Sequence, residues 1–356
     1  MPLSPAKRAL IAVLIFALLL IAGVAGFYYW EIHRPVPAGP AFSPEIAGPP
    51  PDVMSVLPPD SPVVGYLDAE ALRKIPNFSF SGLINLVESG PQNQRAYNAF
   101  VAGTGFDASR DLDHAALAYW PTGFGTPDNV LGQDRFVVVA DGRFDQTKIK
   151  AYIAKLGGKQ VTHGTQSIYQ APGNPPLSLE FISPTRIVVA GGRNATDLVA
   201  DTVSDGSRPR DPAIQLRLQK IGGAPLFAVA KTDHLPQSFY ANFQNAPQLD
   251  QLARSIRFLT LVGQATGDTL NLGLTAECDS AKNALTMSFL LEGGRMAASM
   301  ALSSPNAREQ MTSAQINLLN TFVSQAKIVH QGNQVRINLN FPPGMLNAPA
   351  APKRAN

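Results

Sequence analysis

Apolar and polar positions divide the chain into unlike stretches. Ala9 to Trp30 is an unbroken apolar run of 22 residues with no charged side chain. As a helix rising about 1.5 Å per residue it would cover roughly 33 Å, which matches a hydrocarbon core about 30 Å thick. Between Pro35 and Pro62 the periodicity gives way to 10 prolines in 28 residues. Proline fixes φ and removes a donor, so this stretch predicts an extended polyproline spacer rather than helix or interior strand. Helix- and strand-period segments then alternate to about residue 345, before an Ala/Pro-rich end. The pattern predicts a cytoplasmic leader at 1–8, a transmembrane signal anchor at 9–30 and a Pro-rich linker at 31–57. A first α+β half at 58–205, a second at 206–345 and a disordered tail at 346–356 follow.

The flanks of the apolar run set its expected orientation. Lys7 and Arg8 precede it, and Phe27, Tyr28, Tyr29 and Trp30 close it as an interfacial aromatic belt. The positive-inside bias keeps the amino terminus in the cytoplasm. The expectation is a single-pass protein of the inner (cytoplasmic) membrane, its body in the periplasm or outside. A cleaved signal is the alternative: Gly23-Val24-Ala25 has the small residues a cut requires, and cleavage there would release a soluble body.

In the body, Pro62 to Ala69 (PVVGYLDA) reads as a buried strand ending in Asp68. Helical spacing spans Gly82 to Val101, with a break at Gly90-Pro91. Strands are predicted over His114–Trp120 and Arg135–Gly142. Asp145 is placed to cap a helix over Gln146–Leu156 that Gly157-Gly158 ends. Val161–Gln170 and Leu177–Ala190 supply further strands, and a helix over Ala195–Val203 closes the first half.

The second half repeats this order. A strand at Ala224–Ala230 ends near Asp233, and a helix at Gln248–Phe258 follows, then strands at Thr260–Gln264 and Leu270–Ala276. Asp279 takes the capping place of Asp145, and Gly293-Gly294 that of Gly157-Gly158. The next helix is therefore expected only to Leu291, with another at Asn306–Val323. KIVHQGNQVRINLN at Lys327–Asn340 makes a hairpin like KQVTHGTQSIYQ at Lys159–Gln170. The fold class expected is α+β: two related halves of largely antiparallel sheet with helices packed on one face.

Several motifs resemble those of an uncharacterised family. They are LPPDSPVVGYLDAEAL at Leu57–Leu72, TGFDASRDLD at Thr104–Asp113, ADGRFDQTKIKAY at Ala140–Tyr152 and AECDSAKNAL at Ala276–Leu285. Members are bacterial exported or membrane-anchored proteins with a duplicated α+β body. The resemblance implies export and anchoring, and it implies no known activity and no catalytic residue.

Net charge is +3, but the excess lies at the ends: Lys7, Arg8 and Arg34 at the start, Lys353 and Arg354 in the tail. Between them acidic and basic residues are interspersed, without the concentrated basic face that nucleic acid requires, so no nucleic-acid partner is expected. The single cysteine, Cys278, excludes an intrachain disulfide and a cysteine metal cluster. No HExxH, GxSxG or phosphate-loop motif occurs, so no cofactor is expected.

The weaker candidates for chemistry each have an ordinary structural reading beside the functional one. Asp111, Asp113 and His114 form the densest ligand-like cluster, suited to a hard cation or to capping a turn. Gly191-Gly192 with Arg193 precedes a helix and suits an anion or a plain strand-to-helix turn. Asp68 and Asp233 end equivalent strands and suit acid–base work as a carboxylate pair, or helix capping. His163 and His330 sit in matching hairpins.

The functional expectation is a non-enzymatic, membrane-anchored module in the cell envelope that binds a protein partner or ligand. The alternatives are an envelope hydrolase or transferase with a site between the halves, and a body for apolar ligands.

Overall fold

The structure is a computed structural model that describes residues 46–76, 91–121, 134–173, 176–204, 210–235, 247–303 and 323–341, together with Tyr240 and Asn320. The apolar run at 9–30, with Lys7, Arg8, Phe27, Tyr28, Tyr29 and Trp30, lies outside the described residues. So do the spacer before Ile46, the expected helix at 82–90, most of that at 306–323, and the tail. Among the described residues no helix is long and apolar enough to cross a membrane.

Twelve strands form one sheet. In chain order they are β1 Val63–Asp68, β2 Leu112–Trp120, β3 Arg135–Gly142, β4 Lys159–His163, β5 Gln166–Ala171 and β6 Leu177–Phe181. Then come β7 Arg186–Gly191, β8 Leu226–Lys231, β9 Ile256–Thr266, β10 Thr269–Cys278, β11 Lys327–Gln331 and β12 Gln334–Phe341. Their order across the sheet is β11-β12-β10-β9-β8-β1-β2-β3-β7-β6-β5-β4. Every pairing is antiparallel. The large antiparallel sheet with helices makes the fold mixed α+β. Both predicted halves share this sheet, because β1 pairs directly with β8 and Val64 lies opposite Val229.

Strand alternation sorts the apolar side chains onto two faces. Val64, Tyr66, Val137, Val139, Val188 and Phe227 point to one face and form the larger core. Two helices cover it: α5 (Ala195–Ser204), through Leu198 and Val199, and α6 (Pro212–Ile221), through Ile214, Leu218 and Ile221. The opposite face carries α1 (Ala69–Arg73), whose Leu72 packs beside Leu67. It also carries α4 (Gln146–Lys155), whose Lys150 lies over Tyr169 and Phe181. At its other end α8 (Ala281–Leu302) packs Ala284 against Val335. Helices therefore occupy both faces, not the one face expected. The sheet is apolar on both sides, so each side requires a cover. Three further α-helices are α2 (Pro91–Thr104), α3 (Ala108–Asp111) and α7 (Pro247–Ser255).

Helix starts follow the sequence closely. Asp68, Asp107, Asp145 and Asp211 each accept a backbone N–H at the start of α1, α3, α4 and α6, satisfying donors that lack helical partners. The cap of α8 is Ser280, which accepts from Asn283 N, and not Asp279. The Asp279 carboxylate instead accepts the Asn283 side-chain amide at 2.7 Å.

Helix α8 also runs past Gly293-Gly294 to Leu302 rather than stopping at Leu291. Each interior glycine costs only about 1 kcal/mol against alanine, and the surrounding Leu, Met and Ala residues favour helix. Gly157 does end α4, at φ 84°, with its N–H bonded to Ala154 O.

Helix α6 was not among the sequence-based expectations, although Asp211-Pro212 and apolar positions 214, 218 and 221 mark it in retrospect. The expected strands at 161–170 and 177–190 are each a hairpin, β4–β5 and β6–β7.

The Pro-rich stretch is not all spacer. Ile46 to Leu57 lies on the body: Gly223 N bonds Ile46 O and Gly48 N bonds Gln219 O, tying it to the end of α6. Val53, Met54 and Leu57 are each 2% exposed within the larger core. Proline's missing donors do no harm in a segment that binds through side chains and a few carbonyls.

Candidate functional site

Four polar residues lie side by side where β1, β2, β3 and β7 reach the same margin of the sheet. Asp68 is opposite His114, His114 opposite Asp141, and Asp141 opposite Arg186. They share the face of the larger core, just beyond its last apolar layer. Tyr66, two residues before Asp68 and therefore on the same face, brings its hydroxyl to 3.0 Å from His114 Nδ1. Burial, reinforced by Asp68 and Asp141, raises the Tyr66 phenol well above its ordinary pKa. It therefore stays a hydroxyl, in hydrogen-bond contact with the imidazole. Asp68 Oδ1 lies 3.7 Å from the same nitrogen and already accepts Ala71 N at 2.7 Å. Asp68 is thus first a helix cap and only second a partner of His114.

The expected cluster Asp111, Asp113, His114 is split by the fold. Asp111 ends α3 and is buried, whereas Asp113 and His114 lie on β2 beside an irregularity in its pairing with β3. Asp111 accepts Arg110 Nε at 2.9 Å and Nη2 at 2.6 Å, together with Asp107 N at 2.9 Å. Chiefly through Arg110, and against its burial, its carboxyl is held down at about 2. Asp113 meets Arg73 at 3.1 Å and Arg143 at 3.6 Å. Arginines occupy the carboxylate oxygens that a hard cation would need, and among the described residues no group of three or more acidic, His or Cys side chains is placed to hold a metal.

Asp233 does not join Asp68. Antiparallel pairing sends β1 and β8 in opposite directions, so the residues that follow their last positions lie at opposite margins of the sheet. A six-residue strand separates those margins by about 20 Å. Asp233 sits instead in the turn after β8, 3.6 Å from Lys231, which also meets Asp211 at 3.0 Å. His163 and His330 lie on β4 and β11, at the two opposite edges of the sheet, and share no site.

Arg193 stands elsewhere again, in the turn from β7 to α5, where Gly192 (φ 96°) and Asn194 (φ 59°) reverse the chain. This turn borders an open cavity of about 680 Å³. Lys159 and Arg193 flank the cavity, and Gln170, Ser178 and Thr196 line its floor. The floor is linked: Gln170 Nε2 donates to Thr196 Oγ1 at 2.6 Å, and Ser178 Oγ lies 3.0 Å from the same oxygen. Cross-strand register creates this floor, since Gln170 faces Ser178. Of these residues only Arg193 carried a signal in the sequence. Tyr66, Asp141 and Arg186 were missed at the polar row as well, although Tyr66 stands at the i−2 position to Asp68.

No family model matches the chain, and no curated protein matches it. Among solved structures, crystal form I of TP0453 is similar at 13% identity and a TM-score of 0.46, covering 83% of this chain and 95% of that one. Crystal form III of TP0453 is similar at 12% identity and a TM-score of 0.46, covering 82% and 95%.

Proposed function

We propose that this chain is a membrane-anchored extracytoplasmic module that binds a ligand, or a partner presenting one, and does not turn over a substrate. The observation that carries the binding reading is the cavity beside α5, with Lys159 and Arg193 at its mouth and a hydrogen-bonded polar floor. Its size suits a small ligand, and its two cations suit one with carboxylate or phosphate groups. The apolar run at 9–30 and its flanks support the tether. The anchored, exported character of the family that the motifs resemble supports the same placement.

A duplication of the body belongs to the same reading. Outward from the β1–β8 pair, β1-β2-β3-β7-β6 on one side runs parallel in plan to β8-β9-β10-β12-β11 on the other. The helix after the third strand, α4 or α8, packs on the same face in each.

Two measurements test this. Titration of the full chain with inorganic phosphate and with citrate, followed by thermal shift and calorimetry, is expected to show saturable binding. Arg193→Gln and Lys159→Gln should each weaken it about tenfold, the loss of one charge-assisted contact. No saturable response, or one that both variants retain, refutes the cavity as the site. Fractionation with amino-terminal sequencing tests the tether. A soluble protein beginning near Gly26 refutes it.

A further inference from the structure

We propose that β4, the strand at one margin of the sheet, pairs antiparallel with β4 of a second copy to form a two-fold dimer with one continuous sheet. The argument begins at the β4–β5 turn. Only Gly164 and Thr165 separate the paired residues His163 and Gln166, and Gly164 has φ 61°. In a two-residue hairpin the closing pair exchanges hydrogen bonds, and such pairs recur at every second residue. Lys159, Val161 and His163 therefore bond inward to β5. The N–H and C=O groups of Gln160 and Thr162 point outward from the edge, and both residues are exposed.

That spacing is self-complementary. With a dyad through Val161, Gln160 of each copy faces Thr162 of the other, and the two pairs exchange four hydrogen bonds. Val161 then faces itself in the closer, non-hydrogen-bonded position, extending the apolar layer that it already joins in the larger core.

Charge favours the same register. Lys159 falls opposite His163 of the second copy, on the face where His163 Nε2 lies 3.8 Å from the exposed Asp197 carboxylate of α5. The incoming ammonium supplies that carboxylate with a full cation. The strand has neither the proline nor the bulge with which edges are commonly blunted. At the opposite edge, the same operation on β11 would place Lys327 against Gln331, with no charge complement. A symmetric β4 pair is isologous, so the contact uses up both β4 edges and does not propagate from them.

The test is register-specific cross-linking of the full chain in detergent. The one native cysteine, Cys278, is 1% exposed and stays out of the reaction. Val161→Cys should form a disulfide-linked dimer under mild oxidation, because the non-hydrogen-bonded positions hold Cα atoms about 4.5 Å apart, within the disulfide range. Gln160→Cys alone should not link, whereas a mixture of Gln160→Cys and Thr162→Cys chains should. Thr162→Pro removes an outward N–H without touching the β5 ladder. It should shift light-scattering mass from dimer to monomer at micromolar concentration while the circular dichroism spectrum and melting temperature hold. A short edge buries less than a standard interface of about 1,600 Å², so a micromolar equilibrium is expected. A monomer at all concentrations, failure of Val161→Cys to link, or a dimer indifferent to Thr162→Pro each overturns the proposal.

Discussion

Asp141 and Arg186 face each other across β3 and β7 in a two-point ion pair. Arg186 Nε donates to Oδ1 at 2.6 Å and Nη2 to Oδ2 at 2.8 Å. The remaining Arg186 nitrogen, Nη1, reaches Asp52 at 3.0 Å, so one guanidinium joins the sheet margin to the amino-terminal segment. The pair is about four-fifths buried. The Asp141 hydrogen bonds, working against burial, raise the Arg186 pKa above its ordinary value. Arg186→Gln should therefore destabilise the body by about 2–3 kcal/mol, read from urea midpoints. Asp52→Asn should cost less than about 1 kcal/mol, because Asp52 is largely exposed.

The docked segment gives a second prediction. Met54 is 2% exposed among core side chains. Met54→Ala should cost about 2–4 kcal/mol, whereas a true spacer residue would cost nothing. Equal melting temperatures for the variant and the parent would return Ile46–Leu57 to the linker.

Two glycines with positive φ should respond differently to alanine. Gly157 has φ 84° and open space around its α-carbon, so Gly157→Ala should cost only about 1 kcal/mol of stability, through backbone strain alone. At Gly192, with φ 96°, an added Cβ would stand 2.3 Å from the Asp134 carbonyl oxygen. Gly192→Ala should cost about 3 kcal/mol or more. Equal losses in chemical denaturation would contradict the closeness of the β7–α5 turn to the Asp134 backbone.

Glu180 sets a pH dependence. It is 8% exposed on the core face, and its Oε2 has no hydrogen-bond partner. Burial raises its carboxyl above the ordinary value, so the folded protein holds this proton more tightly than the unfolded chain. Its contribution to stability is complete below the unfolded pKa and declines as pH rises through the higher folded one. Glu180→Gln should flatten that decline and stabilise the protein at pH 7 by about 1 kcal/mol. Asp111 acts in the opposite sense. Its depressed carboxyl contributes stability above the ordinary carboxylate range and loses it as pH falls toward about 2. Melting temperatures of parent and Glu180→Gln from pH 2 to 8 distinguish the effects, the Asp111 loss falling at the acid end of both curves. A parallel pair of curves would remove Glu180 from the account.

Local information fixed much of the fold. The caps at Asp68 and Asp145 start helices because a short carboxylate can reach back to a free backbone N–H, and that depends on neighbours in sequence alone. The β4–β5 and β11–β12 hairpins were legible because Gly164 and Gly332 take the positive φ that a two-residue turn requires. The short continuous apolar runs in VVGYLD and RFVVVADG likewise marked β1 and β3 as buried strands. The apolar run at 9–30 and the charges before it determine the expected membrane placement.

Relations between distant residues were decided by tertiary structure. Nothing local states that β1 pairs antiparallel with β8, and that pairing sends Asp68 and Asp233 to opposite margins. The docking of Ile46–Leu57 likewise depends on a hydrophobic surface made by α6 and the sheet, against which proline content is no obstacle. The cavity floor of Gln170, Ser178 and Thr196 exists only because strand register and the start of α5 bring three separate segments within hydrogen-bond reach. Caps and turns are short-range chemistry. A site assembled across a sheet depends on pairing register, which a single chain of letters does not display.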